Sequence, residues 1–186
     1  MFKDAVSFIF ELFKIVLISF LIIAPIRYFL IQPFYVKGAS MEPNFYDHEY
    51  LIVDEISYRF NEPRRGEIIV FRYPKNPQEF FIKRIIGFPG EKVQVKDGKV
   101  IVYNKENPEG LTLEETYLES NVKTYSLNED IVTLEADEYF VLGDNRNASK
   151  DSRSFGPVNR SFIVGKVLLR GWPFDRLDVF SAPSYN

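Results

Sequence analysis

Between Phe8 and Ile31 nearly every position is apolar, and from Ile15 to Ile26 no charge interrupts the run. The hydrophobicity runs all round rather than along one stripe, so a helix here has no polar face to offer water. About 20 such residues span roughly 30 Å of hydrocarbon, and the pattern predicts a transmembrane helix over 8–31 after a short segment 1–7. Lys14 and Arg27 frame the centre of the span, and Pro25 near its far end is tolerated in a membrane helix. A cleavable leader needs a small-x-small site just after the apolar run. The residues from Arg27 to Pro33 are large or rigid, so the segment reads as an uncleaved anchor. Lys3 and Lys14 precede the span while Arg27 and Lys37 follow it, which leaves its orientation open on charge alone.

After Gln32 the pattern changes to short alternating or β-branched runs broken by Gly, Pro and Asn. Strands are predicted at Tyr50–Val53, Glu67–Arg72, Phe80–Ile86, Lys92–Val95, Lys99–Tyr103, Glu138–Leu142 and Ile163–Arg170. Phe88-Pro89-Gly90 and Asp97-Gly98 are turn signals between them. The expected fold class is therefore mainly β: an antiparallel β-rich domain over 32–103 and 137–186, behind one N-terminal transmembrane helix. Residues 104–136 carry the weakest strand signal and read as an acidic insertion or subdomain.

Charge sharpens that division. Residues 97–138 hold eleven carboxylates against three lysines, a local balance of −8, so the rest of the 186-residue chain carries +5 of the total −3. A basic body on a hydrophobic anchor suits an anionic lipid surface, with the acidic stretch turned away from it. No run of Lys and Arg with interleaved aromatics points to nucleic acid as a partner. The absence of cysteine excludes a thiol nucleophile, a Cys-built zinc site and a disulfide framework. With His48 as the one histidine, a zinc hydrolase lacks its usual ligands, and neither a metal nor a cofactor is expected.

Three segments can carry chemistry. In Gly38-Ala39-Ser40-Met41-Glu42-Pro43, a serine sits between small residues and a proline that stiffens the turn presenting its hydroxyl. The same pattern also suits a plain linker turn. In Phe80-Phe81-Ile82-Lys83-Arg84-Ile85-Ile86, alternation puts Phe81, Lys83 and Ile85 on one face and Ile82, Arg84 and Ile86 on the other. If the Lys83 face is buried, desolvation lowers the lysine pKa toward neutrality, as a lysine base requires; on an edge strand the side chain would snorkel instead. The polar run from Gly143 to Gly156 holds carboxylates and guanidinium groups close enough to tie a loop with charge-assisted hydrogen bonds.

Taken in order, these segments resemble the bacterial type I signal peptidases. The matching blocks are Ser40 to Pro43, Tyr50 to Asp54, Arg65 to Glu91 around Lys83-Arg84, and Gly143-Asp144-Asn145-Arg146 with Ser149, Asp151-Ser152-Arg153 and Gly156. The resemblance runs from the anchor to about Trp172-Pro173 and leaves out residues 104–136. It implies a membrane-bound serine endopeptidase that removes signal peptides from exported preproteins after a small-x-small, Ala-x-Ala-like site. Its partners would be preprotein signal peptides and the phospholipid bilayer, with the N-terminus cytoplasmic and the catalytic domain outside the cytoplasmic membrane.

By the same resemblance Ser40 is the nucleophile, with its own backbone N–H as oxyanion donor, and Lys83 is the general base. Ser149 is then a hydroxyl that orients the lysine, Asp151 and Arg153 form a supporting ion pair, and Asp144 and Arg146 lie in the same loop. Met41 and Ile82 would lie near the substrate pockets. Gly38 stands where some relatives carry a serine that adds an oxyanion donor, and Asn44 and Phe45 depart from the Thr and Leu common after the proline. A self-cleaving Ser-Lys peptidase of the repressor type fits less well, because of the anchor and because no DNA-binding segment precedes the serine. An inactive, membrane-tethered β module that binds exported proteins is the alternative from another class. Two further patterns are set aside. Ser120-x-x-Lys123 matches the Ser-x-x-Lys of penicillin-recognising enzymes, but the chain is short for that fold and lacks a Lys-Thr-Gly partner. His48, eight positions from Ser40, reads as a surface histidine rather than its base.

Overall fold

The computed structural model describes residues 2–29, 31–183 and 185, and the side chains of 6–24, 32–183 and 185. Helix α1 covers Phe2–Phe29. Within it Val6–Ala24 has a mean hydropathy of 2.5 and is not buried against the rest of the chain. Those 19 residues rise about 28 Å, enough by length and composition to cross a membrane. Leu30, counted in the expected anchor, lies outside the described residues, as do the side chains of Pro25 and Arg27. Ile31, the last residue of that expected span, belongs instead to strand β1, Ile31–Tyr35, because it pairs with Asp54 of β2, Tyr50–Asp54.

The remaining chain is antiparallel β, as the alternation predicts. Short helix α2 (Ser57–Phe60) precedes β3 (Ile68–Tyr73) and β4 (Asn76–Gly87). Then come β5 (Lys92–Lys96), β6 (Lys99–Tyr103), the two-residue strands β7 (Leu111–Thr112) and β8 (Val132–Thr133), and β9 (Glu138–Leu142). Helix α3 (Ser152–Phe155), β10 (Val158–Asn159), β11 (Ile163–Trp172) and β12 (Asp178–Val179) complete it. One sheet of eight strands runs β1-β2-β11-β3-β4-β9-β10, with β12 also on β11. A second, four-stranded sheet runs β7-β6-β5-β8. Strands β5 and β6, expected in the main body, therefore pair with the ends of the acidic stretch. Their hairpin is made by Asp97 and Gly98, both at positive φ (53° and 77°), the backbone that a two-residue turn between twisted strands needs.

Period-two alternation sends neighbouring residues of β3 into different cores. Ile68 and Val70 pack with Val36, Met41, Phe45 and Leu51, whereas Ile69 and Phe71 pack with Ile85, Tyr139 and Val141. The small sheet closes on the large one through Val93, Val95, Val100 and Val102 against Ile86, Phe140 and Leu142. Gly87 is the point of closest approach, where a Cβ would stand 2.5 Å from Val93 and 2.8 Å from Leu134. Only a glycine lets the end of β4 come this close to the small sheet.

Candidate active site

Ser40 sits at the start of a tight turn fixed from within the core. The Glu42 N–H donates to the Ala39 carbonyl (3.2 Å) and the Phe45 N–H to the Met41 carbonyl (2.9 Å), while the Met41 and Phe45 side chains are fully buried. Gly38 precedes it at φ 91°, a left-handed backbone suited to glycine, and its N–H donates to Asp47 Oδ1 at 2.8 Å. These contacts leave the Ser40 hydroxyl facing β4. The Ser40 N–H donates to no acceptor among the described residues.

Lys83 lies in the middle of β4, opposite Ile69 of β3. Its ammonium nitrogen donates to Ser40 Oγ at 2.7 Å and to the Ile82 carbonyl at 2.7 Å. The residue is only 3% exposed. Burial pushes its pKa down from the ordinary lysine value to about 8, although the charges of Asp151 and Asp144 pull the other way. Its free amine is therefore easier to reach than that of an exposed lysine, and its nitrogen is in contact with the Ser40 hydroxyl.

The loop from Gly143 to Arg153 backs the pair. Gly143 has no side chain because there is no room for one: a Cβ would collide with the Ser149 side chain and with the Ser40 carbonyl oxygen. The Asn145 N–H donates to that carbonyl (3.1 Å), and Asn145 Nδ2 donates to the Ala39 carbonyl (3.0 Å). Asp151 is fully buried and takes Arg153 in a fork, with Nε 2.8 Å from Oδ1 and Nη2 2.7 Å from Oδ2, plus the Gly143 N–H at 3.0 Å. Burial opposes ionisation of Asp151, but the hydrogen bonds and charge of Arg153 outweigh it and hold the carboxyl below its usual value.

Two partnerships escape the sequence reading. Asp144 does not pair within its loop; it binds buried Arg84, with Nε 2.8 Å from Oδ1 and Nη2 2.6 Å from Oδ2, and also accepts from Asn44 Nδ2 at 2.8 Å. Arg146 reaches into the acidic stretch instead, to Glu115 at 2.5 and 2.7 Å. The signal that could have found the first pair is Arg84 itself, since an arginine on a buried strand face needs a carboxylate nearby.

Other expected residues land differently. Ser149 is beside Gly143, but no hydrogen bond joins it to Lys83; the second acceptor of the amine is the Ile82 carbonyl. The Ser149 hydroxyl is buried and meets hydrogen-bond geometry with no described residue, though it is near enough to Asp151 to favour that carboxylate. Ile82 lines the cleft, whereas Met41 is 1% exposed in the core beneath the turn and supplies no wall. His48 is exposed on the surface, 2.9 Å from Asp47, and Ser120 and Lys123 are exposed as well.

Ser40 and Lys83 open into a cleft of about 640 Å³. One wall is the chain from Phe34 to Ser40 and the other is β4 from Glu79 to Lys83, with Ala148 and Lys150 at the end of the loop. Strand β9 pairs with β4 only from Arg84 onward, so the edge of β4 that faces the cleft is not covered by β9.

Comparison with known proteins covers most of the sequence. Residues 9–172 match the family described as signal peptidase, peptidase S26. A signal peptidase I of Leptolyngbya laminosa is 42% identical over 92% of this chain and 84% of its own. A probable signal peptidase I-2 of Synechocystis sp. is 38% identical over 92% of this chain and 77% of its own, and a signal peptidase IB of Staphylococcus aureus is 35% identical over 84% and 86%. A crystal structure of a signal peptidase I from Enterococcus faecalis V583, 32% identical, aligns with a TM-score of 0.46 over 57% of this chain and 97% of that one. Matching from inside the apolar helix to Trp172, and at such identity to relatives covered over most of their length, the chain belongs to the signal peptidase family, peptidase S26, and is a serine endopeptidase of the signal peptidase I type.

Proposed function

We propose that Ser40 and Lys83 are the reacting pair of this peptidase, and that it cuts preproteins after a small-x-small sequence at the outer surface of the cytoplasmic membrane. The observation that carries the reading is the 2.7 Å contact between a buried amine and a turn-borne hydroxyl at the floor of a cleft. That contact favours an active enzyme over an inert tethered module. An extended signal peptide would lie against the edge of β4 that faces the cleft, adding a strand through backbone hydrogen bonds. Ile82, Phe34, Val36 and Leu51 along the cleft would leave space for small side chains near the scissile bond.

Unprotonated Lys83 takes the Ser40 proton as Oγ bonds to the scissile carbonyl carbon. The oxyanion is met by the unoccupied Ser40 N–H. Collapse breaks the C–N bond, and the Lys83 ammonium returns its proton to the leaving amine. A water molecule then repeats the cycle on the acyl-enzyme, giving its proton to Lys83 and releasing Ser40. Gly38 offers no side-chain donor to the oxyanion. Asp151, held by Arg153, and Asp144, held by Arg84, form the rigid backing of the pair, and the buried Ser149 hydroxyl stands beside it.

Helix α1 would tether this cleft to the bilayer, with the N-terminus on the cytoplasmic side. Strand β1 begins two residues beyond α1, so the cleft stays within reach of the lipid surface where a membrane-held signal peptide presents its cleavage point. Detergent-purified full chain, incubated with a preprotein carrying an Ala-x-Ala site, tests the reading. Ser40→Ala and Lys83→Ala should each lower the cleavage rate by about three orders of magnitude or more. The wild-type rate should rise with pH through one ionisation near 8. Cleavage that survives Ser40→Ala would overturn the assignment.

A further inference from the structure

The segment 113–125, between β7 and β8, has no regular strand, yet its polar groups converge on the loop behind Ser40. The Glu115 carboxylate takes both terminal nitrogens of Arg146, Oε1 to Nη2 at 2.5 Å and Oε2 to Nη1 at 2.7 Å. Nη1 also donates to the Thr124 hydroxyl, and the Tyr117 hydroxyl donates to Glu115 Oε1 at 2.5 Å. The Arg146 side chain is wholly buried, so Glu115 is the carboxylate that balances a cation out of reach of water.

Arg146 passes this constraint on. Its Nε donates to the Gly143 carbonyl at 3.0 Å, and its own carbonyl accepts from Arg153 Nη1 at 2.8 Å. The same short loop carries Gly143, which packs on the Ser40 carbonyl, and Asn145, which donates to it at 3.1 Å. A second thread runs in parallel: the Tyr117 carbonyl accepts from Asn44 Nδ2 at 3.1 Å, four residues past the nucleophile, and the Tyr117 ring lies 3.8 Å from the Arg84 guanidinium. The acidic segment therefore touches the nucleophile's turn and the loop behind it, but not the reacting atoms.

We propose that Glu115 is a positioning residue for Ser40, acting through the Arg146 guanidinium and the Gly143–Asn145 turn. The acidic insertion is then part of the catalytic apparatus rather than an appendage. The proposal rests on the Ser40–Lys83 reading. Small displacements of a reacting group lower turnover strongly while leaving ground-state binding nearly unchanged, and this distinguishes positioning from a general loss of structure.

The test compares full-length wild type, Glu115→Gln, Glu115→Asp and Glu91→Gln, with Ser40→Ala as the blank, on the Ala-x-Ala preprotein in detergent. Glu91→Gln breaks the Arg65–Glu91 ion pair, which is also largely buried but contacts neither the Ser40 turn nor the 143–153 loop. All rates are divided by the folded fraction from circular dichroism. Glu115→Gln should lower kcat by about 10- to 100-fold with KM within about twofold. Glu115→Asp, which keeps the charge, should recover a large part of that loss, and Glu91→Gln should leave kcat within about twofold. An unchanged kcat in Glu115→Gln, an effect confined to KM, or an equal loss in Glu91→Gln would overturn the positioning role. Cleavage by Ser40→Ala would instead overturn the serine reading, and so separates the two failures.

Discussion

Lys83 and Arg84 are neighbours on β4, equally buried at 3% and 4% exposure, and their pKa values shift in opposite directions. On the cleft side, Lys83 meets a hydroxyl and a carbonyl but no carboxylate in direct contact, and burial drives its pKa down to about 8. On the other side, burial also works against the Arg84 cation, but the hydrogen bonds and charge of Asp144 outweigh it and raise the Arg84 pKa. The contrast teaches that burial alone does not decide whether a cation survives in a protein interior. A carboxylate in contact reverses the direction of the shift, and one strand shows both outcomes within two residues.

Breaking the paired side should have the largest effect. Asp144→Ala leaves Arg84 charged and uncompensated, and should lower unfolding free energy by about 3–5 kcal/mol in urea titration. A loss under about 1 kcal/mol would mean that the Gly66 carbonyl and the Tyr117 ring suffice to hold Arg84.

Removing the unpaired side should act in the other direction. Lys83→Met takes away an ammonium that is buried at a disadvantage, and should stabilise the protein at pH 7 by roughly 1–3 kcal/mol while abolishing cleavage. The pH dependence follows from the folded pKa of about 8 lying below the unfolded value of 10.5. Between these values the unfolded chain binds more protons, so wild-type stability should rise with pH, by up to about 1.4 kcal/mol per unit, while the variant lacks that rise. Denaturant midpoints at pH 7, 8, 9 and 10 measure the convergence of the two curves. The smallest effect belongs to the surface: His48→Ala should leave both the cleavage rate within about twofold and stability within about 0.5 kcal/mol.

The two sides of β4 were not equally legible in the sequence. Period-two alternation located seven strands within a few residues, and it placed Lys83 and Arg84 on opposite faces. It could not say that both faces were buried, because that depends on which strands cover them. Strand β1 stayed hidden because its residues continue the apolar run of the helix and include Pro33. Strands β7, β8, β10 and β12 are two residues long, too short for any period.

In the site, Ser40, Lys83 and the polar loop were legible as blocks, each with a local reason for its residue types. The Arg84–Asp144 and Arg146–Glu115 pairs join residues 60 and 31 positions apart, and the second crosses into a segment with no periodicity to align it. Composition gave no pointer there, since the acidic count of the stretch does not say which of its carboxylates faces a buried guanidinium. Met41 shows the opposite failure: the family resemblance suggested the substrate pockets, but the turn sends its side chain down into the core.

The Ile82 carbonyl has a consequence for turnover. A carbonyl oxygen can only accept, so it holds one N–H of Lys83 whether the nitrogen carries two hydrogens or three. The contact with Ser40 has no such fixed polarity. The ammonium gives a hydrogen to Oγ, whereas the free amine turns its lone pair toward the serine O–H. In the proposed reaction the Ser40 proton would cross this 2.7 Å contact while the Ile82 carbonyl keeps its hold on the amine. On that proposal the amine would turn its lone pair first to Ser40 and then a hydrogen to the leaving amine, about a nitrogen that a backbone carbonyl holds in place.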